Sequence, residues 1–156
     1  MSGTILLVED NEDDVFLMKR ALREAGITNP LRVLNDGLEA IDYLGGTGPF
    51  AQREPLPAQV LVLLDLKLPR RSGHEVLEWI RQQPQFAKLI VIILTSSSEP
   101  VDLNRAYRAG ANSYVVKPGD FAGLIDVVAS LDTFWLSFAL LPPDEAHLRP
   151  PRTGQA

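Results

Sequence analysis

The chain has 156 residues, 46% of them hydrophobic, which suits a single domain with a buried core. A net charge of −5 excludes a protein that grips nucleic acid through a basic surface. The absence of cysteine excludes disulfides and thiolate metal sites, and two histidines, His74 and His147, make a zinc centre a poor expectation.

Taken in chain order, apolar runs alternate with helix-like segments. "TILLV" (4–8) reads as a short buried strand, and "DDVFLMKRALREAG" as a helix stopped at Gly26. No run reaches the roughly 18 apolar residues of a membrane span, and "MSGTILLVED" is too short and acidic for a signal peptide. A cytoplasmic protein with neither membrane nor nucleic-acid partner is the expectation. "LRVLN" (31–35) predicts a second strand, Asp36-Gly37 a turn into the helix "LEAIDYL", and "GGTGPFAQREPLPA" a long loop. "VLVLLDL" (60–66) predicts the third strand, "HEVLEWIRQQ" a helix, and "LIVIILTS" (89–96) the fourth strand. "VDLNRAYRAG" predicts a helix, "SYVVKP" (113–118) the fifth strand, and "FAGLIDVVASLDTFW" a last helix.

Near-continuous apolar strands separated by helices indicate an α/β fold, a doubly wound five-stranded parallel sheet with helices on both faces. In such sheets the working site lies beyond the carboxyl ends of the strands. Here those ends carry Glu9 and Asp10, Asp65, Thr95, and Lys117 with Pro118. Clustered carboxylates are costly to bury without a positive charge among them, and an oxygen-only donor set favours a hard cation such as Mg²⁺. An aspartate beside such a cation can attack phosphorus, with Lys117 neutralising the transferring group and the Thr95 hydroxyl donating to it. These groups fit phosphoryl transfer to Asp65.

The stretches "ILLVEDNEDD", "LVLLDLKLPRRSG", "IILTSS" and "ANSYVVKP" resemble the signature blocks of the receiver domain of two-component response regulators. The resemblance implies a flavodoxin-like strand order 2-1-3-4-5 and Asp65 as phosphoacceptor from a histidine kinase or phosphotransfer protein. It implies Mg²⁺ held by Glu9, Asp10, Asp65 and the main-chain carbonyl of Lys67. It further implies phosphoryl contact by Lys117, a cis Lys117–Pro118 peptide, and a switch in which Thr95 and Tyr114 move and reshape the face of helix four, strand five and helix five. Asp13 and Asp14 read as acids favouring the positive end of the first helix, and His74 as a surface residue opening the third.

Two positions depart from the family's commoner pattern. Lys67 stands where many receivers carry Asn or another polar residue. Its side chain either points to solvent or leans over the phosphoryl group and slows hydrolysis; Ser97 offers no carboxylate or amide to orient the water. After the last helix comes "FWLSFALLPPDEAHLRPPRTGQA", so the expected organisation is a receiver domain over 1–133 and an extension over 134–156, apolar to 141 and Pro-rich beyond. Leu124, Val128 and Leu131 already supply a core-facing stripe, leaving Phe134, Trp135 and Phe138 as extra packing or as a dimer or docking surface. With the long Gly/Pro loop, this extension resembles single-domain regulators associated with bacterial phytochrome histidine kinases. A homodimer and a bacteriophytochrome kinase are the partners this implies.

Competing classes fit less well. A flavin- or nucleotide-binding flavodoxin-like protein would want a hydroxyl- or Gly-rich cradle where "EDNEDD" stands, and a haloacid-dehalogenase phosphatase a second Asp where Lys67 stands. An unphosphorylated relic would not be expected to keep the acid, hydroxyl and lysine set. The reading is therefore a signalling phosphoacceptor, not an enzyme with a diffusible substrate.

Overall fold

The structure, a computed structural model, describes residues 3–138. Its strands are β1 (Thr4–Val8), β2 (Leu31–Leu34), β3 (Val60–Leu64), β4 (Ile90–Thr95) and β5 (Ser113–Val116), all parallel, in order β2-β1-β3-β4-β5. The helices are α1 (Glu12–Glu24), α2 (Gly37–Gly45), α3 (Gly73–Gln82), α4 (Pro100–Ala109) and α5 (Phe121–Leu131). Both the fold class and the strand order inferred from sequence are those observed.

Side chains alternate across the strands, so the sheet builds two cores. Leu6, Val8, Val62, Leu64, Val91 and Ile93 point to one face, where α2 and α3 close over them with Leu44, Val76, Leu77 and Ile80. Ile5, Leu7, Leu61, Leu63, Ile92 and Leu94 point to the other, against Met18, Ala21 and Leu22 of α1 and Val128 of α5. All five residues of β3 are buried because it is the middle strand. The core stripe of α5 falls as expected, with Val128 buried and Leu124 and Leu131 packed beside it.

Helix starts are set by side-chain caps. Asn11 accepts from the Asp14 amide, Asp36 from Glu39, Ser72 from Glu75 and Asp120 from Gly123, each satisfying an N–H that has no partner within its helix. The strands end sooner than the apolar runs suggest, at Leu34, Leu64, Thr95 and Val116. The residues just beyond them leave the ladder to form the loops of the carboxyl edge.

The long loop after α2 contains a 3₁₀ turn over Gly48–Phe50 and is tied back by Arg53. The guanidinium donates to the carbonyls of Tyr43, Leu44 and Glu54, closing the end of α2. Beyond α5 the chain continues as a π-helical turn over Asp132–Phe138. Phe134 is 57% exposed there, whereas Trp135 is half-buried against the α1/α5 core. Backbone is all that is described of Phe138, and the rest of the apolar stretch and the Pro-rich tail lie outside the described residues.

No cis peptide bond occurs among the described residues, so Lys117–Pro118 is trans, contrary to the expectation from the family resemblance. The Lys117 amide reaches Thr95 O at 2.7 Å and its ammonium reaches the acidic cluster with the intrinsically favoured isomer in place.

Candidate functional site

Glu9, Asp65 and Lys117 are each the first residue past a strand, held by one last backbone bond to the neighbouring strand, and Thr95 is the last residue of β4. The Glu9 amide donates to Leu34 O at 3.0 Å, and that of Asp65 to Val8 O at 3.1 Å. These bonds fix Glu9 and Asp65 to the sheet's edge as rigidly as the strands themselves. Asp10 follows Glu9 and is exposed, while Glu9, Asp65 and Thr95 are buried. Glu9, Asp10 and Asp65 each place one carboxylate oxygen within 4.8 Å of the others.

The positive charge that such a cluster requires comes from Lys117. Its ammonium donates to Asp14 Oδ2 at 2.8 Å, Asp65 Oδ2 at 3.0 Å and Glu9 Oε1 at 3.1 Å. The other oxygen of Asp65 accepts from the Leu66 amide at 2.7 Å, which fixes the carboxylate plane. Burial alone would raise the Asp65 carboxyl, but hydrogen bonds with Glu9 and Lys117, the lysine's charge and the Thr95 hydroxyl outweigh it and hold Asp65 below the usual range. Burial, then the adjoining Asp65 and Asp14, push Glu9 up to about 9. The Lys117 ammonium is raised despite its burial, because Asp14 and Asp65 accept from it.

The donor set therefore fits a hard divalent cation: three carboxylates converge and all ligands are oxygen. The Lys67 main chain sits at this edge, its amide 3.4 Å from Asp65 Oδ1, and its side chain is exposed.

Tyr114 lies apart from the carboxylates. Its hydroxyl donates to the Ser97 carbonyl at 2.8 Å, two residues past Thr95. Ser97 is itself a junction, for its hydroxyl donates to Asp102 Oδ2 at 2.6 Å and its amide reaches the Thr95 hydroxyl at 3.4 Å. Asp102, in the first turn of α4, also bonds His74 Nε2 at 3.0 Å. His74 is consequently buried, not on the surface as the sequence suggested; its place three residues before Leu77, on the buried stripe of α3, was the signal. Asp14 was read only as a helix-start acid, yet it reaches Lys117.

The loop carrying Lys67 is clasped from the side of α2. Arg70, with φ 65°, donates to Asp36 Oδ2 from Nε at 3.0 Å and from Nη2 at 2.7 Å. The Gly37 amide reaches Pro69 O at 3.3 Å, and a Cβ on Gly37 would lie 2.0 Å from Arg71 O.

A doubly wound sheet of this order, with acids, a hydroxyl and a lysine gathered at its carboxyl edge, defines the receiver class of signalling domain. The model of the response regulator receiver domain family matches residues 5–129, and the chain belongs to that family. It is 39% identical over 141 residues to the probable methanogenesis regulatory protein FilR2 of Methanothrix harundinacea, covering 88% of this chain and 86% of that one. It is 36% identical over 138 residues to the response regulator Rcp1 of Synechocystis, covering 88% and 92%. Among solved structures, the phosphorylated cyanobacterial phytochrome response regulator RcpA superposes with a TM-score of 0.82 at 34% identity, covering 91% of this chain and 99% of that one. The Mn²⁺-bound form of Rcp1 gives 0.80 at 36% identity, covering 90% and 99%. Receiver domains work with histidine kinases and take a divalent cation at an acidic pocket of the kind present here. No helix among the described residues is long and apolar enough to cross a membrane.

Proposed function

We propose that this chain accepts a phosphoryl group onto Asp65 from the phosphohistidine of a histidine kinase or phosphotransfer protein. The observation that supports this best is the Asp65 carboxylate, buried, held ionised, fixed by the Leu66 amide and facing the Lys117 ammonium at 3.0 Å. An ionised carboxylate on a rigid strand end is a ready nucleophile. Its lone pair forms an O–P bond as the P–N bond of the donor breaks, and the imidazole leaves with the bonding pair. Glu9, Asp10, Asp65 and the Lys67 carbonyl would hold Mg²⁺, which when bound would neutralise charge on the phosphoryl oxygens. The Lys117 ammonium also neutralises them, and the Thr95 hydroxyl donates to one of them. The chain acts on its own aspartate only, so it is a signalling protein without a diffusible substrate.

The signal leaves through the loop after β4. Thr95 moving toward a phosphoryl oxygen draws on Ser97, to which both Tyr114 and Asp102 are bonded. The face of α4, β5 and α5 is thereby biased between two arrangements. Likeness to Rcp1 and RcpA supports a phytochrome-type kinase as the donor. Phe134, exposed beside half-buried Trp135, supports a homodimer through the extension.

The test is phosphotransfer from candidate kinases in Mg²⁺, with Asp65→Asn as control. Label on the wild type and none on the variant is the expected result; acylphosphate label persisting on the variant overturns the assignment.

A further inference from the structure

The Lys117 ammonium is fully subscribed. A lysine has three N–H donors, and Asp14, Asp65 and Glu9 take one each at 2.8, 3.0 and 3.1 Å. A phosphoryl group arriving on Asp65 brings new acceptor oxygens, so one of these bonds must be given up before the ammonium can serve it. Asp65 is the group being modified, and Glu9 is buried at the sheet's edge. Asp14 differs from both: its side chain is 40% exposed, so water can replace the lysine there at little cost. It stands on α1, not on a strand end, and its carboxylate oxygens are not among the atoms that converge on the candidate cation position.

We propose that Asp14 is a positioning residue for the phosphoryl-transfer reaction: it holds Lys117 in the unphosphorylated protein and competes with the incoming phosphoryl group for the ammonium, so that it restrains phosphorylation of Asp65. Replacing that carboxylate with an amide leaves the ammonium only a weaker, neutral acceptor there and lessens the negative field that an anionic phosphodonor meets.

The reaction arm rests on Asp65 being the phosphoacceptor, and it uses phosphoramidate with Mg²⁺. The Asp65 oxygen forms the O–P bond, the P–N bond breaks, and the zwitterionic donor's nitrogen leaves as ammonia with the bonding pair. Asp14→Asn raises the rate constant for Asp65 phosphorylation about threefold to tenfold, the difference between a charged and a neutral acceptor for the ammonium. Asp14→Glu, which restores the charge, returns the rate toward wild type. Asp13→Asn makes the same charge change on an exposed neighbour in the same turn and leaves the rate within about twofold of wild type.

A second arm needs neither metal nor phosphate. The ¹⁵N resonance of the Lys117 ammonium in metal-free protein shifts in Asp14→Asn and stays in place in Asp13→Asn. A rate that is unchanged or falls in Asp14→Asn, an equal response from Asp13→Asn, or an unmoved ammonium resonance overturns the proposal. Label surviving in Asp65→Asn would instead unseat the phosphoacceptor assignment, leaving the resonance arm to judge Asp14 by itself.

Discussion

A Cβ on Gly73 would lie 2.0 Å from the carbonyl oxygen of Asp65 and 2.7 Å from Leu66 Cα. The first turn of α3 is thus pressed directly onto the backbone of the candidate phosphoacceptor, and the Gly73 amide donates to Leu66 O at 2.8 Å. Neighbouring backbone cannot swing aside as a flexible side chain can. Gly73→Ala should therefore cost about 2–3 kcal/mol of stability and slow labelling of Asp65 by displacing its carboxylate. Gly119, which has nothing within 4 Å of its would-be Cβ, is the matched control, and its Ala variant should unfold within about 0.5 kcal/mol of wild type in urea. Equal stabilities for the two variants would show that the loop can yield.

The clasp between Asp36 and Arg70 makes stability depend on acid. Burial opposes the Asp36 charge, but the Arg70 hydrogen bond and the Glu39 amide outweigh it, so the folded carboxyl titrates below its unfolded value. A depressed carboxyl contributes stability that is fully present above the unfolded pKa of about 3.9 and is lost as pH falls through the folded one. Asp36→Asn keeps a good helix cap while deleting the charge. It should melt roughly 2 °C below wild type at pH 7, and the gap should close as pH falls below the unfolded value and through the depressed folded one. A gap that persists unchanged in acid would assign the loss to the cap instead.

The sheet was readable because parallel strands must bury both faces, and Val60 to Leu64 had no polar interruption. The acids, Thr95 and Lys117 were readable because the carboxyl edge of such a sheet gathers whatever follows its strands. Asp14 was not, since it sits on a helix whose rotation against the sheet is set by packing elsewhere. Nothing in "LPRRSG" announces that Arg70, not a glycine, takes the left-handed conformation at φ 65°; its bidentate hold on Asp36 is a contact between distant loops.

Lys67 is exposed, with its charge close enough to Asp102 to help hold that carboxyl low, after Ser97 and His74. If it shields the phosphoryl group from water, Lys67→Asn should shorten the acylphosphate lifetime about fivefold, the range of one hydrogen bond, without altering cation binding through the main-chain carbonyl. Decay of labelled protein after donor removal measures this. Equal lifetimes would make Lys67 a bystander.

Phe134 and Trp135 meet edge to face, with centroids 5.0 Å apart and planes at 90°, yet they face different surroundings. Trp135 packs on the α1/α5 core, so its loss affects folding as well as association. Phe134 is 57% exposed and is the cleaner probe of a dimer. A large exposed aromatic in a continuous apolar stretch gains by pairing with a second copy, and a carboxylate at the same place cannot be desolvated without a partner. Phe134→Glu should lower the mass seen by light scattering from dimer to monomer while leaving the melting temperature nearly unchanged. Replacing both aromatics with Ser should dissociate the protein and also lower its melting temperature. An unaltered mass in both variants would locate any dimer elsewhere on the molecule.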